Sequence, residues 1–451
     1  MKKPVKPPAQ SFILRDITDE TLQLLMQHNK PVDDKDRYIH WDKLRYLTPP
    51  AGLTSEQWWL SIKLARRALY KPFPLDDLEG GKFKFALPDE IQRQLHWLDR
   101  YAAGSIQASE AITNKQSRNT YLIRSLVEEA INSSQLEGAS TTRDVAKEMI
   151  RQSREPKDLS ERMILNNYRA MQFIGDLKEE PLTPAIVFEL HSILTEGTLD
   201  KPDAAGQFRK AEDDIHVVDE TTNEYLHTPP PADELPERLQ RLCDFANESG
   251  DGKDNSVFMH PIVRAIGLHF ALAYDHPFYD GNGRTARALF YWAMAKDGYW
   301  LMEFISISEA IKKAPVQYGR AFLLTETDDN DLTYFLLHQL GVIHQAVESL
   351  HTYLDEKAQT VSEVEQILVS NPKFKGRLNF RQLALLRHAL KNPRFTYVVH
   401  EHQQSHGVSY DVARKDLLLM ADTLGLLDKS KSGKQYYFVS PMDLTRRVNK
   451  S

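Results

Sequence analysis

The reactive side chains of this chain crowd into one stretch of twelve residues, His276 to Arg287, reading HPFYDGNGRTAR. His276 is a residue type that takes up a proton near neutral pH, so it can accept one from an attacking hydroxyl. Asp280, four residues on, is a hard oxygen donor of the kind Mg²⁺ accepts, one or two carboxylates being completed by phosphate oxygens. Gly281-Asn282-Gly283 is a turn of small residues that tolerate left-handed backbone, and the pattern from Arg284 to Met294 is helical. A Gly-rich turn that opens a helix aims several backbone N–H groups, and the positive end of the helix dipole, at one point: an anion site. Arg284 and Arg287 are three apart, share a helix face, and can both reach a polyphosphate. Phe278 between them reads as the anchor that buries the loop. The bland alternative is a helix–turn–helix corner with solvated arginines. The coincidence of base, carboxylate, anion nest and two arginines in twelve residues argues against it.

Such a loop needs a scaffold. The 451 residues suggest roughly three domains at about 150 residues each. Hydrophobic residues make up 41% and charged residues 27%, an ordinary globular balance with material for more than one core. The net charge of −6 gives no sign of nucleic-acid binding by the chain as a whole. Cys243 is the only cysteine, so no internal disulfide forms and no multi-thiolate metal site exists. The basic, Pro-rich start is not followed by an apolar stretch of signal-peptide length, and no run of about 18 apolar residues is present. A reducing, cytoplasmic setting without membrane contact is expected.

Residues 1–105 are expected to form a helical N-terminal unit whose four tryptophans, Trp41, Trp58, Trp59 and Trp97, pack a core. Residues 106–355 read as mostly helical. Leu122, Leu126 and Ile131 fall near one face of a helix of about 118–138 that runs towards Gly138. Thr183 is the N-cap and Pro184 the first turn of another helix. Between 206 and 231 the pattern changes: Ile215, Val217 and Val218 have strand character, Thr221-Thr222-Asn223 is a turn, and the segment reads as a β-hairpin ending at three prolines.

The stretch His276–Arg287 matches H-x-F-x-D/E-G-N-G-R-x-x-R, the Fic-family signature, at every defined position, and the resemblance extends over about 180 to 345. It implies a mainly α Fic fold with a β-hairpin flap, and a protein adenylyltransferase that moves AMP from ATP to a Tyr, Thr or Ser hydroxyl of a target protein, itself included. On that resemblance His276 is the general base and Asp280 holds Mg²⁺ between the α- and β-phosphates. Gly281, Asn282 and Gly283 cradle the same phosphates, Arg284 contacts the β- and γ-side, Arg287 holds the γ-phosphate, and Thr285 and Ala286 belong to the same ATP-binding stretch. Ile215, His216, Val217 and Val218 lie over the nucleotide as the flap, and Tyr318 sits beside the adenine. Glu326 matches less well, because the spacing after Tyr318 carries an insertion. The resemblance also makes a homodimer reasonable.

Ser133-Ser-Gln-Leu-Glu137-Gly138 puts Ser133 and Glu137 on one helix face and a natural stop after them. By itself this is a capped helix. Beside a Fic motif it resembles the family's inhibitory pattern, S/T-x-x-x-E-G/N, which implies that Glu137 pairs with Arg287 and takes the arginine that the γ-phosphate needs. Three rivals stand beside AMP transfer: a kinase of the same fold, disfavoured because kinase members carry Lys where this chain has Gly283; removal of AMP from a modified protein, or both activities together; and a DNA-binding regulator whose Fic domain senses nucleotide.

Residues 371–451 carry 15 Lys plus Arg against 6 Asp plus Glu, which marks a separate domain. A helix from Thr396 to His406, a second from Ser409 to Leu424, and a Gly-tipped basic hairpin read as a winged helix. Whether it meets DNA or a protein partner is left open.

Overall fold

The computed structural model describes residues 2–13, 17–103, 115–219, 222–248, 258–370, 378–432 and 435–450. The chain divides into two compact units, Met1–Leu350 and His351–Ser451.

The first unit is built around two helices joined by the motif loop, Pro261–Asp275 and Asn282–Lys296. Pro261–Asp275 is apolar nearly all round (IVRAIGLHFALAY), and thirteen of its residues are buried, so it can only be a core helix. Around this pair lie Lys115–Leu136, Leu159–Asp176 and Pro184–Thr195. The last begins as the sequence dictates: the Thr183 hydroxyl accepts from Ile186 N at 3.3 Å, and Pro184 occupies the first turn.

Residues 1–105 are not a helical unit of their own. They include an antiparallel hairpin, Lys71–Asp76 against Lys82–Phe85. Its alternation turns Phe73, Phe83 and Phe85 inwards, and the Phe73 ring lies on the central helix, where a Cβ on Gly267 would sit 2.5 Å from it. A polar knot between residues 261 to 293 apart in sequence ties the segment down further. Lys63 Nζ donates to Asp328 Oδ1 at 2.8 Å, and Tyr38 Oη donates to Asp331 Oδ2 at 2.5 Å. Tyr70 Oη donates to the same Asp331 oxygen at 2.8 Å, and Arg66 Nη1 to Tyr334 Oη at 2.7 Å. Lys63, Arg66, Asp328 and Asp331 are all at most 2% exposed, so each charge is stable only because its partners are in place.

The 206–231 hairpin is shorter than its sequence suggests. Only Val217–Val218 and Tyr225–His227 pair, antiparallel and with a register shift. Ile215 lies outside the ladder, because a short helical turn at Ala211–Asp213 and left-handed Asp214 (φ 48°) precede it. Of the expected turn, Thr221 lies outside the described residues.

The second unit holds the helices Phe380–Lys391, Val399–His406 and Tyr410–Leu418, and a three-stranded sheet. In the sheet, Gln435–Val439 lies between Thr396–Val398 and Asp428–Ser432. Thr396–Val398, read from sequence as the start of a helix, is a strand: it is a β-favouring run, and it pairs with Tyr437–Val439. Leu386, Leu417, Met420, Leu426 and Phe438 form the core. Asp416 is buried beneath Arg381, Gln382 and Asn379. Residues 371–377 and the Gly433-Lys434 tip of the expected basic hairpin lie outside the described residues. No helix among the described residues is long and apolar enough to cross a membrane.

Candidate active site

The loop between the two central helices is held by its own side chains. Asn282 Oδ1 accepts from Phe278 N at 2.9 Å, and its Nδ2 donates to Phe278 O at 2.8 Å, so this amide braces the loop rather than reaching outwards. Phe278 is fully buried and stacks on His191, ring centroids 3.8 Å apart. His191 had no place in the sequence reading, yet it fixes the loop from below. Its Nδ1 accepts from Gly206 N at 2.9 Å, and its Nε2 faces Asp280 O at 2.8 Å, which makes Nε2 the protonated nitrogen. Gly281 is left-handed (φ 83°), and a Cβ there would meet Thr195 Cγ2 at 2.9 Å, so glycine is required on both counts.

The motif helix starts where the loop ends. Its first intrahelical bond runs from Thr285 N to Gly281 O at 3.0 Å, which leaves the amides of Asn282, Gly283 and Arg284 as the helix's outward-facing donors. That is the anion nest. Thr285 and Ala286 add no side chain to it, since both side chains are fully buried and the Thr285 hydroxyl, like its amide, turns back to Gly281 O. Arg284 is also buried: Nη1 donates to Leu194 O at 3.1 Å and Nη2 to Asp280 Oδ2 at 3.1 Å. The Asp280 carboxylate is about half exposed, and Arg284 and its neighbour Gly281 N are its partners. Among the described residues no three His, Cys, Asp or Glu cluster as a metal site. A cation held at Asp280 would therefore take further oxygens from phosphate, which suits Mg²⁺.

His276 ends the preceding helix in the left-handed conformation (φ 46°, ψ 54°). Its Nδ1 lies 3.2 Å from Ala273 O, so Nδ1 carries the proton and Nε2 keeps its lone pair. Burial pushes the imidazole down to about 4, against the pull of the Ala273 carbonyl, so His276 is neutral at pH 7 and ready to accept a proton. Arg209 holds the base in place through the main chain: Nε donates to His276 O at 2.8 Å, Nη2 donates to Pro230 O, and its amide donates to Pro277 O at 2.9 Å. Nothing in the sequence alone singled out Arg209.

His276 lines a cavity of about 280 Å³ together with Glu137, Gly283, Arg287, Tyr318, Val217 and Leu226, among others. Arg287 Nη2 donates to Glu137 Oε1 at 2.8 Å and to Ser133 O at 3.1 Å, and Nε donates to the Ser133 hydroxyl at 3.0 Å. Burial alone would raise the Glu137 carboxyl, but Arg287 and then Arg284 outweigh it and hold its pKa below the usual value. Gly138 follows in the left-handed region (φ 95°). Glu137 lies so close to the motif helix that a Cβ on Gly283 would sit 2.4 Å from its Oε1. Tyr318 Oη lies 2.8 Å from His269 Nε2 at the cavity wall.

The flap contributes less than the sequence suggests. Val217 faces the cavity, whereas Val218 is 40% exposed and the His216 ring leans on Tyr225, centroids 4.4 Å apart. Ile215, His216 and Val218 are not part of the lining. Two lining residues have a pairing that sequence could not reveal: His227 Nδ1 lies 2.9 Å from Glu326 Oε2, and its Nε2 lies 2.7 Å from Tyr274 O. Burial disfavours the His227 cation, but Glu326 and the Tyr274 carbonyl more than offset it and raise the pKa.

Residues 181–294 match the family model described as Fic/DOC family. A protein adenylyltransferase Fic of Nematostella vectensis is 26% identical over 242 residues, 50% of this chain and 51% of that protein. One of Drosophila willistoni is 32% identical over 138 residues, 30% of this chain and 24% of that protein. The chain thus spans about half the length of these curated relatives, or less. A crystal structure of a Fic family protein from Desulfovibrio desulfuricans G20, 18% identical, covers 77% of this chain and 94% of its own, with a TM-score of 0.50, and shares the fold. The twelve-residue loop, the helix before it, the hairpin and all but the last two residues of the following helix fall within the segment that is similar to the Fic/DOC family.

Proposed function

We propose that this chain is a protein adenylyltransferase restrained by Glu137. The observation that carries the reading is one cavity in which a neutral imidazole, a helix N-terminus and the Arg287 guanidinium converge. Triphosphate oxygens would meet the amides of Asn282, Gly283 and Arg284, and Arg287 would neutralise the γ-phosphate. The target hydroxyl attacks the α-phosphorus. A P–O bond forms to the target, the bond to the β-phosphate oxygen breaks, pyrophosphate leaves, and the hydroxyl proton goes to His276 Nε2. Asp280 would hold Mg²⁺, which would supply charge neutralisation to the phosphates. Catalysis is then positioning and electrostatics, with one proton acceptor. While Glu137 occupies Arg287, the γ-phosphate lacks its anchor and the α-phosphate is not presented in line.

Two labels test the reaction. With α-labelled ATP the protein or its target should retain label, and with γ-labelled ATP it should not. Retention of the γ-label alone would mean a kinase.

The second unit is proposed as a winged helix that binds duplex DNA. Its helices, its sheet and the exposed Lys429 and Lys431 on the outer hairpin support this. Arg414 and Lys415 are exposed on the Tyr410–Leu418 helix. Duplex retention by the full chain should fall steeply as salt rises, since each neutralised phosphate releases counterions. No retention at low salt would leave a protein-interaction module.

A further inference from the structure

The Lys115–Leu136 helix meets the motif helix through an unusual face. Ser125, Glu129, Ser133 and Glu137 follow one another at four-residue spacing, so they form a single polar row. Each is engaged. Ser125 Oγ donates to Phe304 O at 2.7 Å, and Ser133 and Glu137 receive Arg287 as described. Glu129 is the most heavily bonded of the row and is only 1% exposed. Its Oε2 accepts from Tyr291 Oη at 2.9 Å, Ser306 Oγ at 2.8 Å and Ser308 N at 3.1 Å, and its Oε1 accepts from the Ser308 hydroxyl. All four donors are neutral. Tyr291 stands one turn beyond Arg287 on the motif helix, so the Glu129 and Glu137 rungs grip consecutive turns of it.

The apolar side of the same helix packs elsewhere. Val127, Ala130 and Ile131 join Ala146, Met149 and Ile164, from the two helices that follow. Apolar contact is non-directional and tolerates small slides. Hydrogen bonds to a buried carboxylate do not, because a lost donor leaves charge unsatisfied. The register of this helix against the motif helix is therefore set by the polar row.

We infer that Glu129 is a positioning residue, which holds the helix in the register that brings Glu137 to Arg287. It touches neither nucleotide nor target and acts through the helix, about 12 Å along its axis from Glu137. The inference rests on the reading of Glu137 as a brake. Glu129→Gln replaces one acceptor oxygen by a donor facing donors, and loosens the register without removing Glu137.

The test is self-labelling with α-labelled ATP in four forms of the full chain: wild type, Glu129→Gln, Glu137→Gly and the double variant. Glu129→Gln should label roughly fivefold above wild type, the scale of one hydrogen bond. It should add nothing once Glu137 is glycine, because there is then no brake to position. A purely structural role would instead lower labelling in both backgrounds. If Glu137→Gly rises while Glu129→Gln does not, or if Glu129→Gln gives an equal gain in both backgrounds, the inference is overturned and the brake survives. If Glu137→Gly itself fails to rise, the brake is wrong and the inference goes with it. Should Glu129→Gln not fold, Ser308→Ala removes a single side-chain donor and carries the same expectation.

Discussion

Glu137→Gly is expected to raise self-labelling from α-labelled ATP about 10- to 100-fold over wild type. The range follows from losing a contact between a charged donor and its acceptor, ~1.5–3 kcal/mol, with each 1.4 kcal/mol a factor of ten. The change frees Arg287, whose guanidinium otherwise donates to Glu137 at 2.8 Å and to Ser133. A stability effect does not mimic this outcome. The helix ends at Leu136 and Glu137 lies just past it, so glycine there costs little helix propensity. Adding Arg287→Ala should cancel the gain, because in the proposed mechanism that arginine serves both the brake and the γ-phosphate. A single variant that labels no better than wild type would remove Glu137 from the regulatory account.

His276→Ala should lower the rate of labelling by ~10²–10⁴, the usual contribution of a general base, with nucleotide affinity nearly unchanged. Measured on the Glu137→Gly background, the drop is read against a strong signal. The cavity keeps Arg287, the helix N-terminus and Tyr318 in this variant, which is why binding persists. Because burial pushes the His276 imidazole down to about 4, the base form dominates at neutral pH. The rate should therefore hold as the pH falls from 7 and decline only as it approaches 4, where His276 gains its proton. Since the φ of 46° is awkward for alanine, thermal unfolding of the variant must be compared with wild type. Undiminished labelling by a folded His276→Ala protein would rule out the mechanism.

Both variants address residues that are legible in the sequence, and the reason is local. The motif loop is twelve contiguous residues whose turn, helix start and brace are decided by neighbours four positions away, such as Asn282 against Phe278. Thr183 and Pro184 likewise state a helix start within four residues. What sequence reasoning missed depends on partners far along the chain or on main-chain atoms without identity. His191 is bonded to Asp280 O and Gly206 N, and Arg209 to His276 O. Glu129 reads as one acid among many until Tyr291, Ser306 and Ser308 arrive from 162 to 179 positions away. The 71–85 hairpin did offer a signal, since Phe83 and Phe85 alternate with lysines, but Pro72 and Pro74 obscured its other strand. Thr396–Val398 is too short for periodicity to separate strand from helix.

The polar knot beneath the cavity has a practical consequence for how the chain can be divided. Asp328 follows directly on the helix Pro315–Thr327, and Asp331 three residues later; that helix brings Tyr318, Phe322, Leu323 and Glu326 to the cavity wall. Their hydrogen-bond donors include Lys63, Tyr38 and Tyr70. A fragment trimmed to begin after residue 105 would retain the whole motif and the cavity lining. It would also retain two buried carboxylates stripped of those donors, and such uncompensated charge costs several kcal/mol per ion. The first hundred residues thus serve as a folding partner for the helix Pro315–Thr327, and the smallest fragment that folds is larger than the segment that carries the twelve-residue motif.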